Sequence, residues 1–315
     1  MVSSTENFFA DIAENKKFCF LLGNGINYAL ASPVISWEKL LYQLAQEVDV
    51  QTISDYLETA PDEDEISYPE LFCLLENLGD TGKKKGGSLR KMIADILSQP
   101  QKSNDLLEYA RQNNCPILTT NFDFNIENAI GCKQSRSGKY FSGQWSERLQ
   151  YSSGYRIGEF FAPDTSVSPE NQCSVWHIHG HIQSPGTIKI SQLDYINAIA
   201  YFKKKLFRNC DNSEHRNPVK AENDWIAKDS WLNYFFNRPL IIAGCSLKSD
   251  ETFLRWLLLY RFRRQKEVGQ VLQSYYLTEK KSAEKTLFWE NIGFKVINFE
   301  NYDKIYFNKK WKEEK

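Results

Sequence analysis

The sequence predicts an α/β fold, a mostly parallel sheet with helices on both faces. Three observations carry this. Short apolar runs recur along the chain, and most end in turns containing glycine, asparagine or aspartate. Segments with helical spacing follow several of these turns. The runs are apolar throughout rather than alternating, as in strands covered on both sides.

Taken in order, Phe18–Leu22 (FCFLL) reads as a buried strand running into Gly23-Asn24-Gly25. Trp37–Val48 places Trp37, Leu40, Leu41, Leu44 and Val48 on one helical face. Residues 50–113 hold no convincing strand and are expected to form a helical insertion within a single domain spanning 1–315. The acidic PDEDE at 61–65 and the TGKKKGG at 81–87 read as loops. The lysine loop lacks the spacing of a Walker phosphate loop and is expected to be solvated. Pro116–Thr119 is the second strand, followed by TNFD and a helix from about Phe124 to Ile130. Residues 133–172, rich in Ser, Gly, Tyr and Arg, suggest loop with short strands. Cys173–Ile178 is the third strand, entering His179-Gly180-His181. Ser191–Arg208 is helical. Leu240–Ala243 is the fourth strand, entering GCSLKSDE and a helix from about Glu251. Gln273–Leu277 and Phe294–Phe299 are the last two strands, with a helix over 281–291 between them.

Composition narrows the function. The chain has 315 residues, 42% of them hydrophobic, with 20 Phe, 16 Tyr and 8 Trp, so a large core is within reach. A net charge of −1 argues against a globally basic nucleic-acid binder. No signal peptide and no membrane-length apolar run is evident, so a cytoplasmic location is expected. The seven cysteines are scattered without a C-x-x-C pair and read as free thiols rather than a zinc site.

In a parallel sheet, ligands bind at the carboxyl ends of the strands. Four turns, GNGIN, TTNFD, HIHGHI and GCSLKSDE, are therefore expected to converge on one sheet edge. Gly23 and Gly25 let backbone approach a ligand, but Tyr28 stands where a dehydrogenase glycine motif needs Gly or Ala. Asn121 offers donors and an acceptor, while Thr120 and Asp123 could bind ligand or cap the next helix. Three of the four histidines, His177, His179 and His181, lie in one stretch. Strand alternation would send all three to one face, although Gly180 interrupts the strand before His181. Three residues along one strand rarely close around an ion, so no metal is expected. One histidine acting as base or ribose anchor is the better reading, and position alone does not say which. Gly244 and Ser246 can offer backbone N–H groups and a hydroxyl. Cys245 has no activating pattern beside it.

The ordered set of turns resembles the sirtuin-like (silent-information-regulator) superfamily over roughly residues 15–300. The carriers are G-x-G-x-[SN], T-x-N-[FY]-D, a strand ending in H-G, and G-x-S-x-x-x-D before a late helix. SPVISWEKLL around Trp37 is similar to the segment before that family's first long helix. The resemblance is nearest to a bacterial antiviral branch that degrades NAD in infected cells. It implies a Rossmann-like sheet. It also implies His179 and Asn121 as catalytic residues, with Gly23, Gly25 and Asn27 at the NAD phosphates and ribose. Gly244 and Ser246 fall on the adenosine side, Thr120 and Asp123 count with the NAD-binding residues, and His177 and His181 have no family role. The four-cysteine zinc module of protein-deacylating sirtuins is missing, which puts deacylation in doubt.

The implied reaction is cleavage of the nicotinamide–ribose bond of NAD+ as substrate, with Asn121 positioning water or ribose and His179 acting as base. Rival readings are a deacylase or ADP-ribosyltransferase, and a non-catalytic module that binds NAD or ADP-ribose. Unregulated NAD loss would kill the host cell, so homo-oligomerisation or a separate regulatory partner is expected. In related defence systems such partners are DNA-translocating ATPases or Argonaute-like proteins. No direct contact with nucleic acid or membrane is expected.

Overall fold

A computed structural model describes residues 4–15, 17–29, 35–59, 66–78, 87–97, 103–145, 155–207, 218–220 and 225–312. Its strands are β1 Cys19–Leu22, β2 Ile117–Thr119, β3 Ser142–Gln144, β4 Glu159–Phe161, β5 Val175–His177, β6 Leu240–Ala243, β7 Ser274–Thr278 and β8 Phe294–Asn298. They form one sheet in the order β3-β4-β5-β2-β1-β6-β7-β8. The six strands from β5 to β8 in that order run parallel, and β3 and β4 add an antiparallel edge.

Strand alternation sorts the apolar side chains onto the two faces. Leu21, Leu118, Trp176, Ile242 and Tyr276 belong to one buried cluster. Their neighbours Phe20, Ile117, Val175, Ile241 and Tyr275 belong to a second cluster on the other face. Both sides are sealed, which is why these strands read as unbroken apolar runs.

The helices are α1 Ser4–Glu14, α2 Gly25–Ala29, α3 Trp37–Glu47, α4 Gln51–Thr59, α5 Tyr68–Leu78, α6 Gly87–Ile96, α7 Asp105–Gln112, α8 Asn125–Ile130, α9 Gln192–Tyr201, α10 Trp231–Asn237, α11 Thr252–Glu267, α12 Ala283–Asn291 and α13 Tyr302–Tyr306. The helices between 50 and 113 divide in their packing. Those of α4, α5 and α6 join α3 in a third cluster built on Leu41, Leu44, Phe72 and Ile93, with Phe122, Ile188 and Ile190 from the sheet side. By contrast, α7 packs Leu106, Leu107 and Ala110 into the second sheet-face cluster.

Arg90 of α6 ties the third cluster to the sheet. It pairs with Glu76, donates to the Ile188 carbonyl at 3.1 Å, and meets Asp194 Oδ2 at 2.8 Å. Asp194 also closes the capping box that starts α9. The helical run from 191 stops being α-helical at Tyr201 and continues as a π-turn over Phe202–Leu206. The loop read at 61–65 lies outside the described residues, as does the one read at 81–87 apart from Gly87, which opens α6 instead. No helix among the described residues is long and apolar enough to cross a membrane.

Candidate active site

Register brings the four polar turns to one level. Leu22 pairs with Thr119 on one side and Ala243 on the other, and Thr119 pairs with His177. The last residues of β1, β2, β5 and β6 therefore stand in one row, and the turns after them meet above it. Successive crossovers change direction between β1 and β6, the place where parallel sheets open a crevice. A cavity of about 660 Å³ lies over these turns, within the range of roughly 300–1,000 Å³ usual for small-molecule sites. Gly23, Gly25, Gly244 and Ser246 line it from the β1 and β6 turns. Thr120, Asn121, Asp123 and His179 line it from the other two. Ile35, Trp37, Leu40 and Tyr68 wall it from the helical side.

The glycines pack against one another. A Cβ on Gly25 would lie 2.5 Å from Gly244 Cα, and one on Gly23 would lie 2.6 Å from the Gly244 carbonyl oxygen. Gly244 itself has φ +67°, a conformation that suits glycine. The Gly23 amide donates to Ala243 O at 3.1 Å and the Gly25 amide to Gly244 O at 3.0 Å. Both N–H groups are thus engaged within the protein. The two glycines shape the cavity wall by letting the β1 and β6 turns touch.

Asn27 is 4% exposed and does not line the cavity. Its carboxamide donates to Asp123 Oδ2 at 2.8 Å and to Asn24 Oδ1 at 2.9 Å, and accepts from Asn125 at 3.2 Å. It stitches the first turn to the second. Asp123 also accepts the Asn125 amide at 3.0 Å, a local turn at the start of α8. Burial pushes the Asp123 carboxyl above the usual range, against the pull of the Asn125 amide and Asn27.

Asn121 is 6% exposed. Its backbone is fixed at both ends: the amide donates to Thr119 Oγ1 at 3.0 Å, and the carbonyl accepts from His177 Nδ1 at 2.7 Å. Its side-chain Nδ2 is buried and has no partner in the protein. Such an atom costs stability unless something supplies an acceptor.

Each clustered histidine meets a different glutamate. His177 Nε2 lies 2.8 Å from Glu127 Oε1, and His181 Nε2 lies 3.2 Å from Glu159 Oε2. His179 Nε2 lies 3.4 Å from Glu251 Oε2, close enough for charge attraction though not for a well-aligned hydrogen bond. The strand ends at His177, so alternation does not carry on through all three. Gly180 turns the chain at φ +80°, and a Cβ there would meet Thr187 O at 2.2 Å. The His177 and His181 rings end up 5.4 Å apart, while His179 reaches the main cavity against Tyr195 and Phe253.

Environment separates these groups further. Burial lowers His177, but the Glu127 carboxylate outweighs it and holds the ring above the ordinary histidine value. Burial keeps His181 below that value despite Glu159. Burial raises Glu251, yet His179 and the Tyr195 hydroxyl, 2.7 Å from Oε1, bring its carboxyl below the usual range. Burial drives the Cys245 thiol far up, which leaves it a poor nucleophile at neutral pH. Among the described residues, no group of three or more His, Cys, Asp or Glu is placed to hold a metal ion.

Glu251 is the site residue that sequence reading passes over. Its only signal is its place after Asp250 at the start of α11, where a capping acid is ordinary. Its contacts come from Tyr195 on α9 and His179 in the turn after β5, more than fifty residues earlier, and are invisible in local spacing.

The family model of the SIR2-like domain matches residues 116–297, more than half of the chain. The chain belongs to this family, whose members are NAD-dependent enzymes and whose domains bind NAD. The matched span holds the Asn121, His179 and Gly244 turns, and the Gly23 turn precedes it. No curated protein matches the chain.

Proposed function

We propose that the protein is an NAD+ glycohydrolase that cleaves the nicotinamide–ribose bond and releases nicotinamide and ADP-ribose. The observation that carries this reading is a pair of groups on one cavity wall. Asn121 Nδ2 is buried without a protein partner, and His179 is backed by Glu251 and Tyr195. The family's NAD chemistry gives such a pair its substrate.

Departure of nicotinamide leaves positive charge on the ribose, which water must meet on the open face. Asn121 holds the water or a ribose hydroxyl through its free amide. With Nε2 turned to Glu251, His179 acts on the ribose or the water through Nδ1, and the carboxylate stabilises the imidazolium formed when it takes a proton. Thr120, Ser246 and the Gly244 turn hold the rest of the dinucleotide. Trp37, Leu40 and Tyr68 keep the reacting end out of bulk water. The physiological role is NAD depletion in defence against phage, and control lies in self-association or in a sensor partner.

The test is nicotinamide release from NAD+ by the purified protein, beside Asn121→Ala and His179→Ala. The expected loss is about 10²–10⁴-fold for His179→Ala. Release that needs an acyl-peptide or an acceptor protein indicates a deacylase or ADP-ribosyltransferase instead. NAD binding with no release, even after addition of infected-cell lysate, indicates a binding module.

A further inference from the structure

Resting on that reading, we infer that His177 and Glu127 form a positioning pair that fixes Asn121 for the reaction. Asn121 has its backbone held at both ends by side chains, yet its own Nδ2 has no partner in the protein. A group preset to meet a ligand has its main chain clamped in this way, because catalysis depends on placement within a fraction of an ångström.

The clamp spans three elements. The Asn121 carbonyl can only accept, so His177 Nδ1 carries a proton and donates to it at 2.7 Å. That fixes the tautomer and leaves Nε2 to share a proton with Glu127 Oε1 at 2.8 Å. Asn121 follows β2, His177 ends β5 and Glu127 lies on α8. The His177 ring is held in place by Phe124, Phe161 and His181, at 5.2, 5.6 and 5.4 Å between ring centres. The pair's side chains are 2% and 0% exposed, and Glu127 Oε2 has no partner. An arrangement this costly to bury is a weak contributor to stability, since apolar residues of the same volume would pack as well. What it supplies is a fixed direction for one carbonyl, and through it for Asn121. His177 does not line the main cavity, so it is a positioning residue, not a catalytic one.

The test compares His177→Gln, Glu127→Gln and the double variant in nicotinamide release from NAD+. The expected result is a kcat lowered by roughly 10- to 100-fold, as a small misplacement of a reacting group costs. KM for NAD+ stays within about threefold, and the double variant is no slower than the worse single. A merely structural role would instead lower the active fraction and leave kcat per folded molecule unchanged, which overturns the inference. So does failure of both single variants to fold. A second readout stands apart from activity: amide hydrogen exchange over residues 117–130, against residues 274–298 as control. Faster exchange in the first segment alone supports the clamp even if the wild type releases no nicotinamide, an outcome that would count against the hydrolase reading only. Unchanged exchange in both segments refutes the clamp.

Discussion

His179 and Glu251 face each other across 3.4 Å, Nε2 to Oε2, and Tyr195 holds the other carboxylate oxygen at 2.7 Å. Two turns far apart in sequence thus build a carboxylate–histidine unit against the cavity. Glu251→Gln keeps the shape and removes the charge that stabilises the imidazolium. The expected outcome is a kcat for nicotinamide release lower by at least about tenfold, within the range for acid–base groups. Tyr195→Phe should cost less, because it removes one hydrogen bond and no charge. Steady-state kinetics on folded variants checks this, and a Glu251→Gln enzyme with wild-type kcat would sink the assigned role.

Backbone contact between the β1 and β6 turns leaves no room for side chains. Gly244→Ala forces a Cβ to 2.6 Å from the Tyr306 hydroxyl and 2.9 Å from Gly25 Cα at φ +67°. The left-handed conformation and the overlap together predict a loss of about 2–4 kcal/mol. Gly186→Ala is the control, since a Cβ there meets nothing within 4 Å. Its effect should stay within roughly 0.5 kcal/mol. Urea unfolding of both variants decides the matter, and equal midpoints would contradict the close-packing account.

The parallel core was legible because its strands are buried on both faces and read as apolar runs. Phe20, Leu118, Trp176 and Ile242 mark strands in the sequence and lie at the centre of the sheet. Convergence of the four turns followed from parallel topology alone, and the register of Leu22, Thr119, His177 and Ala243 bears it out. The edge was harder to read. In β3, Ser142 and Gln144 are exposed and Gly143 is half-buried, so no apolar run announces a strand. Helices α1, α10 and α13 carry aromatic residues that long-range packing arranges: Phe8 stacks edge-on with Tyr275 and Trp311. The partners of the histidines were illegible for the same reason. Glu127 lies 50 residues from His177 and Glu159 lies 22 from His181, with no local pattern joining them.

The link between α6 and α9 should titrate. Asp194 is half of the bridge to Arg90, and it also accepts the amides of Ile190 and Ser191 at 3.0 Å. Burial raises its carboxyl, but Arg90 and those two amides outweigh burial and hold it below the usual range. A carboxyl depressed in the folded state contributes stability above its unfolded value, about pH 3.9. That contribution is lost as pH falls through the lower folded value. Asp194→Asn should therefore destabilise the protein at neutral pH by about 1–3 kcal/mol, the cost of removing one of the two carboxylates that pair with the partly buried Arg90. The stability gap between wild type and variant should stay level from pH 8 to about pH 5 and close as pH drops below about 4. Urea unfolding of both proteins across that range measures the gap directly. A gap that does not narrow in acid would mean that the charge of Asp194 does not stabilise the fold, and that its pairing with Arg90 does not anchor the helical cluster.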